Sequence, residues 1–257
     1  MSQALLERIV QPEDVELAIR LTREAVRIPS VCGEEGALAQ YVYEQLQALG
    51  FEDTALQEVY PGRHNAIGVI RGNRPGPTIV LTGHLDTKPV CYGWDSDPYG
   101  GDMVDGRLYG HGIMDMKAGF CGQIAAAHAL KRSGVDLAGT IYVAAVADHM
   151  GAQAGSIAFF KQVKADMAIL GELSDNRIYI GHRGRYYFDI STLGRAAHTY
   201  RKYDAISAIN KMADVVKAID AVRYFPKLDE ETARLFGEEL YMVAGRIYGG
   251  LPPTARR

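Results

Sequence analysis

Cysteine is scarce in this sequence of 257 residues, and its scarcity excludes two kinds of stabilisation. The three cysteines, Cys32, Cys91 and Cys121, stand at unrelated spacings, so they form neither a disulfide framework nor a Cys-x-x-Cys metal motif. We expect reduced thiols, as in a cytoplasmic protein. Long apolar runs are also missing, because no stretch approaches the roughly 18 residues that a membrane-spanning helix needs.

An excess of charge of one sign is absent as well. The 28 basic and 31 acidic residues give a formal net charge of −3, and no basic stripe marks a nucleic-acid or membrane surface. Acids interrupt the apolar residues of positions 1–20, unlike a signal or transit peptide. With 47% hydrophobic residues, the chain is not disordered. The sequence predicts a folded cytoplasmic protein with no nucleic-acid or membrane partner.

Helical and strand patterns alternate along the first two thirds of the chain. The predicted helices cover residues 11–30, 33–50, 115–134 and 155–163, and the predicted strands cover residues 64–72, 77–83, 139–148 and 165–172. Several strands are apolar on both faces, which favours an α/β fold with a largely parallel or mixed sheet covered by helices. In such sheets the ligand site lies beyond the carboxyl ends of the strands.

The pattern changes near residue 180. Residues 178–198 alternate like an antiparallel strand pair, residues 204–220 form an amphipathic helix, and residues 238–250 read as another strand. We therefore predict two domains, residues 1–180 and residues 181–257, the second being a small α+β unit.

Residues of the kind that bind metals stand just past several predicted strands. His84, Asp148 and Glu172 each follow an apolar strand, and Asp86 comes two residues after the histidine. Alone, His84 reads as a buried histidine, Asp115 as a helix cap and Glu172 as a solvated strand end. Together, an imidazole and several carboxylates suit a divalent cation.

Two other sites are excluded by the residues between 110 and 119. The stretch "GHGIMDMKAG" has Asp115 where a dinucleotide fingerprint needs its third glycine, and no Gly-Lys-Ser/Thr ends it as in a phosphate loop. The chain also has no G-x-S-x-G motif, which removes sequence support for a serine hydrolase.

Six motifs, in this order and spacing, resemble the M20 metallopeptidase family, which includes deacetylases, desuccinylases and carboxypeptidases. They are "TGHLDT", "YGHGIMDMKAGF", "AVADHMGAQAGS", "ILGEL", "IGHRGRYYFDI" and "GRAAHT". The resemblance covers residues 12–250. It implies a zinc-peptidase-like catalytic domain with an inserted ferredoxin-like lid that also dimerises, the lid being apparently incomplete at the C-terminus.

The resemblance also implies roles for individual residues. His84 and Glu172 correspond to the ligands of one metal ion, and Asp115 to the carboxylate that bridges two ions. Asp86 corresponds to the residue that orients His84, and His198 to a lid histidine that reaches the partner subunit's site. The metal is expected to be zinc, with cobalt or manganese as alternatives.

The chain departs from the family at one motif. Where the family has Asp-Glu-Glu, this sequence has Asp148, His149 and Met150. The first glutamate is the family's general base, and the second is a ligand of the other ion. A further family histidine ligand is absent. We therefore expect one ion rather than two, with His149 as a candidate base because imidazole titrates near neutral pH.

The resemblance implies a metal-dependent hydrolase for the amide bond of an N-acyl amino acid or small peptide. Two alternatives stay open, a non-catalytic binding or regulatory relative and a fragment of a longer enzyme. We expect a homodimer formed through the lid. The three arginines Arg183, Arg185 and Arg195 are candidates for holding a substrate carboxylate, and solvated positions on a strand explain them equally well.

Overall fold

The computed structural model describes residues 3–179, 181–223, 225–237 and 240–250. The chain divides into two compact units, Met1–Arg177 and Ile178–Arg257. Residue 180, the last of the predicted first domain, lies outside the described residues. In the described part of the chain, every helix is too short or too polar to span a membrane.

A five-stranded mixed sheet forms the centre of the first unit. Its strands are β1 (Glu52–Tyr60), β2 (Arg63–Arg71), β3 (Arg74–His84), β6 (Ala138–Val146) and β7 (Met167–Leu170). The order is β1-β2-β6-β3-β7, with β3 parallel to β6 and β7 and with β2 antiparallel to β1 and β6. The predicted mixed α/β fold is therefore confirmed. Two short strands, β4 (Asp102–Val104) and β5 (Arg107–Tyr109), form a separate hairpin.

Helices cover both faces of this sheet. They are α1 (Gln3–Ile9), α2 (Pro12–Val26), α3 (Gly36–Ala48), α4 (Ala118–Arg132) and α5 (Ala154–Gln162). Helix α2 begins at a proline, where the missing N–H costs nothing, and Gln11 and Asp14 cap its first turn reciprocally. Helix α3 ends before Gly50, whose φ of 73° suits the left-handed position after a helix.

Apolar clusters lie on both faces of the sheet, and the parallel register places the ends of β3 and β6 together. On one face Leu21, Leu38, Phe120 and Ile124 belong to one buried cluster with Val143 of β6. A smaller cluster on β2, β3, β6 and α5 comprises Ile67, Val80, Ala144, Val146 and Phe159. The parallel register pairs His84 with Val146. The residues that follow β3 and β6 therefore emerge at the same edge of the sheet.

The second unit contains helices but no regular strand in residues 181–223, 225–237 and 240–250. Helix α6 (Ala208–Asp220) begins at Ser207, whose Oγ accepts a hydrogen bond from the Asn210 N–H. A 3-10 helix (Thr199–Asp204) and helix α7 (Glu230–Phe236) are the other elements. Arg195 and Ile206 form an isolated bridge.

The strands predicted at residues 178–198 and 238–250 are wrong for the described residues of those stretches. Alternation produces a strand only where a neighbouring strand accepts its backbone hydrogen bonds, and the described stretches make no such ladder. Tyr186, Tyr187 and Phe188 are accordingly exposed instead of packed on a sheet face. Residues 180 and 238–239 lie outside the described residues.

Candidate metal centre

His84, the last residue of β3, is the centre of the polar edge of the sheet. Its ring is 2% exposed, and Nδ1 lies 2.7 Å from the main-chain oxygen of Asp86. Because a carbonyl only accepts hydrogen bonds, Nδ1 carries the proton and donates it. The Nε2 lone pair of the neutral imidazole is then available to a cation.

Two carboxylates face this nitrogen. Nε2 of His84 lies 3.0 Å from Oδ1 of Asp115 and 3.4 Å from Oε1 of Glu172. Burial of the ring lowers the pKa of His84, but the hydrogen bond to Glu172 and the surrounding carboxylates outweigh it and raise the pKa. The same hydrogen bond lowers the pKa of Glu172. The cluster therefore attracts a positive charge at Nε2, either a proton or a metal ion.

His149 joins this cluster from the loop that follows β6. Its ring stacks on His84, with a centroid distance of 4.4 Å and an interplanar angle of 2°. Its Nε2 lies 3.8 Å from Oε1 of Glu172. One ligand atom from each of His84, His149 and Glu172 lies within 4.8 Å of the others.

Asp86 contacts the histidine loop in a way that the sequence did not reveal. Its buried carboxylate accepts hydrogen bonds from the main-chain N–H groups of His149 at 3.0 Å and of Met150 at 2.7 Å. The carboxylate lies 3.8 Å from Nδ1 of His84. The His84 ring thus donates its hydrogen bond to the main-chain oxygen of Asp86, while the Asp86 carboxylate holds the loop.

Arg63 forms a buried ion-pair network that sequence reasoning missed. Its guanidinium donates two hydrogen bonds of 2.7 Å to Glu35, and Nη2 lies 2.8 Å from Oδ1 of Asp148. The other oxygen of Asp148 accepts from the N–H of Ala152 at 3.0 Å. Asp148 therefore does not face the His84 cluster, and instead fixes the loop that carries His149.

A second group of possible ligands consists of Cys32, Glu35 and Asp86, and Glu35 is paired with the same guanidinium. Arg63 Nη2 lies 3.9 Å from the Cys32 sulfur, so a positive charge is already present there. Burial and the neighbouring carboxylates raise the pKa of Cys32 to about 11. A protonated thiol beside a guanidinium is a poor metal ligand.

The turn that carries Asp115 is anchored by Lys117. This side chain is fully buried, and Nζ donates to the main-chain oxygens of Ala25 at 2.9 Å and Ile28 at 2.8 Å. Burial lowers the pKa of Lys117 to about 8. The contact holds the Asp115 turn against the end of α2.

Two glycines bring the Asp115 turn and the end of β7 together. Gly119 of α4 approaches Gly171 so closely that a Cβ at Gly119 would collide with the Gly171 carbonyl. Gly171 directly precedes Glu172. Only a residue without a side chain permits this approach.

His198 belongs to the second unit. It is exposed, its ring stacks on Tyr200 with a centroid distance of 5.5 Å, and Nδ1 accepts from the Tyr200 N–H at 3.4 Å. Its role at a partner's site stays a prediction.

The donor set at the sheet edge fits a divalent ion of the zinc type. A tetrahedral zinc ion with ligands at 2.0–2.1 Å separates neighbouring ligand atoms by about 3.3 Å. The distance from Glu172 Oε1 is 3.4 Å to His84 Nε2 and 3.8 Å to His149 Nε2, close to that spacing. The His84 and His149 rings are parallel, so a rotation of one ring is needed to direct both Nε2 lone pairs at one ion.

Comparison with known proteins finds a matching family profile and similar sequences and folds. The profile of Peptidase family M20/M25/M40 matches residues 80–242. Succinyl-diaminopimelate desuccinylase of Methylobacterium radiotolerans is 30% identical over 261 residues, covering 94% of this chain and 65% of that protein. The desuccinylase of Rhodospirillum centenum is 31% identical over 213 residues, covering 77% and 55%. The chain thus spans between 55% and 65% of the length of these two relatives.

Solved structures share the fold at lower identity. A tripeptidase from Staphylococcus aureus has a TM-score of 0.53 and 18% identity, over 79% of this chain and 56% of that chain. Human carnosine dipeptidase 1 has a TM-score of 0.51 and 24% identity, over 64% of this chain and 40% of that chain. At these identities the likeness concerns the fold.

Proposed function

Because the chain belongs to peptidase family M20/M25/M40, we propose that the protein hydrolyses the amide bond of an N-acyl amino acid or small peptide with the help of a divalent metal ion. One observation carries the proposal. His84 Nε2 faces the carboxylates of Asp115 and Glu172 within 3.4 Å at the carboxyl edge of the sheet, where α/β folds bind their ligands.

The proposed ligands are His84, Asp115 and Glu172. Zinc suits this set of imidazole and carboxylate donors, and cobalt and manganese are also compatible with it. When bound, the ion supplies Lewis acidity and lowers the pKa of a water molecule. The Asp86 carbonyl keeps His84 in the tautomer that leaves Nε2 unprotonated, and the two carboxylates offset the charge of the ion.

Amide hydrolysis also needs a group that accepts a proton and passes it to the leaving amine. By its position in the family motif, His149 is the proposed acceptor. Its ring nitrogen, however, lies 3.8 Å from Glu172 Oε1 and close to His84, which favours a ligand role. The two roles exclude each other at one nitrogen, because a lone pair that binds an ion cannot accept a proton.

The second part of the chain, residues 181–257, is proposed as the lid and dimerisation domain, following the catalytic domain of residues 1–180. The compact division after Arg177 supports a boundary near this point. We further propose a cytoplasmic homodimer in which His198 reaches the partner's site. Light scattering at high micromolar concentration tests the dimer, and a monomer there contradicts it.

Turnover of a substrate panel tests the proposed function. The protein, expressed from its complete gene, is incubated with acetyl and succinyl amino acids and dipeptides, with zinc, cobalt or manganese added. We expect release of free amine that stops when a chelator removes the ion. The His84→Ala variant serves as the control for background. Absence of turnover in protein that demonstrably holds its ion contradicts the proposal.

Replacing Gly119 by alanine is expected to weaken metal binding by roughly 10-fold or more, the range seen when the support of ligands is disturbed. The added methyl group collides with the Gly171 carbonyl and moves Glu172 away from Asp115. Gly122→Ala on the same helix is the matched control, because a Cβ there meets nothing within 4 Å. Calorimetric titration with zinc measures both variants, and equal affinities contradict the account.

A further inference from the structure

We infer that His149 takes the place of Asp115 as a ligand of the metal ion, so that two imidazoles and the Glu172 carboxylate hold one ion and Asp115 lies beside it. This inference rests on the proposed function, since it concerns the same ion. It changes the role of His149 from the proton acceptor of the family motif to a structural part of the metal site.

The positions of the three donor atoms carry the inference. Glu172 Oε1 lies between the two histidines, 3.4 Å from Nε2 of His84 and 3.8 Å from Nε2 of His149. In the described residues this is one of two groups with ligand atoms within 4.8 Å of one another, and in the other group Cys32 and Glu35 contact the Arg63 guanidinium. The His149 ring is parallel to the His84 ring, so one ring has to rotate before both Nε2 lone pairs point at the same ion.

The main chain of the loop that carries His149 is held in place. Both N–H groups of His149 and Met150 donate to the buried Asp86 carboxylate. Asp148 has a left-handed φ of 68°, and its ion pair with Arg63 maintains this conformation. A ligand needs this preorganisation, because the alternative positions of a free loop residue lower metal affinity.

The charges of the cluster favour a single ion of borderline softness. Two neighbouring divalent ions repel each other unless several anionic ligands offset the charge, and this chain has an imidazole and the thioether of Met150 in place of two carboxylates. Imidazole-rich sites prefer zinc or cobalt over the hard ions magnesium and calcium. We therefore expect zinc and cobalt to bind in preference to magnesium.

Cobalt binding to the 257-residue protein tests the inference, because the absorption spectrum of Co(II) reports its ligands without any need for activity. In His149→Ala and His149→Gln, we expect zinc affinity to fall roughly 100-fold, in line with the loss of one ligand, and the cobalt spectrum to change. His149→Glu retains a donor atom and is expected to recover most of the affinity. His64→Ala, a change on β2 outside both ligand groups of the described residues, is the matched control.

The outcomes separate the inference from the proposed function. If His149→Ala and His149→Gln are folded by circular dichroism and bind zinc and cobalt like the parent, His149 is not a ligand and the inference is overturned, while the proposed function stands. If the parent protein binds no divalent ion and His84→Ala makes no difference, both are overturned. Reduced affinity in the His149 variants, with unchanged affinity in His64→Ala, supports the inference.

Discussion

Replacement of His84 by alanine is expected to lower zinc affinity by at least roughly 1,000-fold and to reduce amide hydrolysis to background. His84 Nε2 is the atom that both carboxylates face, and without it Asp115 and Glu172 form an incomplete site. The expected loss exceeds that of a single peripheral ligand because the His84 ring also supports the stacked His149 ring. Calorimetric titration gives the affinity, and release of amine gives the rate.

A control variant separates the loss of a ligand from the loss of an imidazole elsewhere in the unit. His111→Ala removes an imidazole from the same unit, where it contacts the main chain of Lys88 and belongs to neither ligand group of the described residues. We expect near-parental zinc affinity for this variant. Parental affinity in His84→Ala contradicts the assignment of the site to this edge of the sheet.

Replacement of Arg63 by methionine is expected to lower the free energy of unfolding by about 3–5 kcal/mol, the range for breaking a buried ion pair. Glu35 is fully buried and Asp148 is 5% exposed, so both carboxylates lose the partner that offsets their burial. The free energy of unfolding of Arg63→Lys is expected to lie between those of the parent and Arg63→Met. An ammonium keeps the charge but cannot form the paired hydrogen bonds to Glu35. Denaturant unfolding at neutral pH measures all three proteins.

Arg71→Met is the matched control for this change. Arg71 lies at the other end of β2, where its ion pairs with Glu52 and Asp53 are exposed, and such pairs contribute about 0–1 kcal/mol.

The stability that the Arg63 ion pair provides depends on pH. Burial alone raises the pKa of Glu35, but the Arg63 hydrogen bonds outweigh burial and lower the pKa below its ordinary value. The stabilisation by this pair is therefore present above the ordinary glutamate pKa and is lost as the pH falls through the lowered value. Equal losses of unfolding free energy in Arg63→Met and Arg71→Met would contradict the stabilising role of the Arg63 network.

The apolar strands could be predicted because their pattern is strong. Strands β3 and β6 are apolar on both faces, and the predicted segments overlap the observed ones. Strand β1 was missed, since Glu52–Tyr60 is a half-exposed edge strand whose acids and glutamine interrupt the apolar alternation. In the second unit the alternating pattern led to a wrong prediction of strands. A strand needs a partner strand, and the described residues supply none.

The cluster at the sheet edge could also be anticipated, whereas its supports could not. His84 and Glu172 follow parallel strands, so their proximity follows from topology. Arg63 contacts partners that are 28 and 85 residues away in the chain, and no local pattern indicates such contacts. The contact of the Asp86 carboxylate with the His149 loop also has no local sequence signal, because it forms only when β3 and β6 are side by side.

The number of ions that one chain binds tests the central claim most directly. The protein is loaded with excess zinc, dialysed, and its zinc and protein contents are measured, with His84→Ala treated in parallel. The proposed site of His84, His149 and Glu172, with Asp115 beside it, predicts one ion per chain in the parent and essentially none in the variant. Two ions per chain, or one ion that the His84→Ala variant retains, would contradict the account.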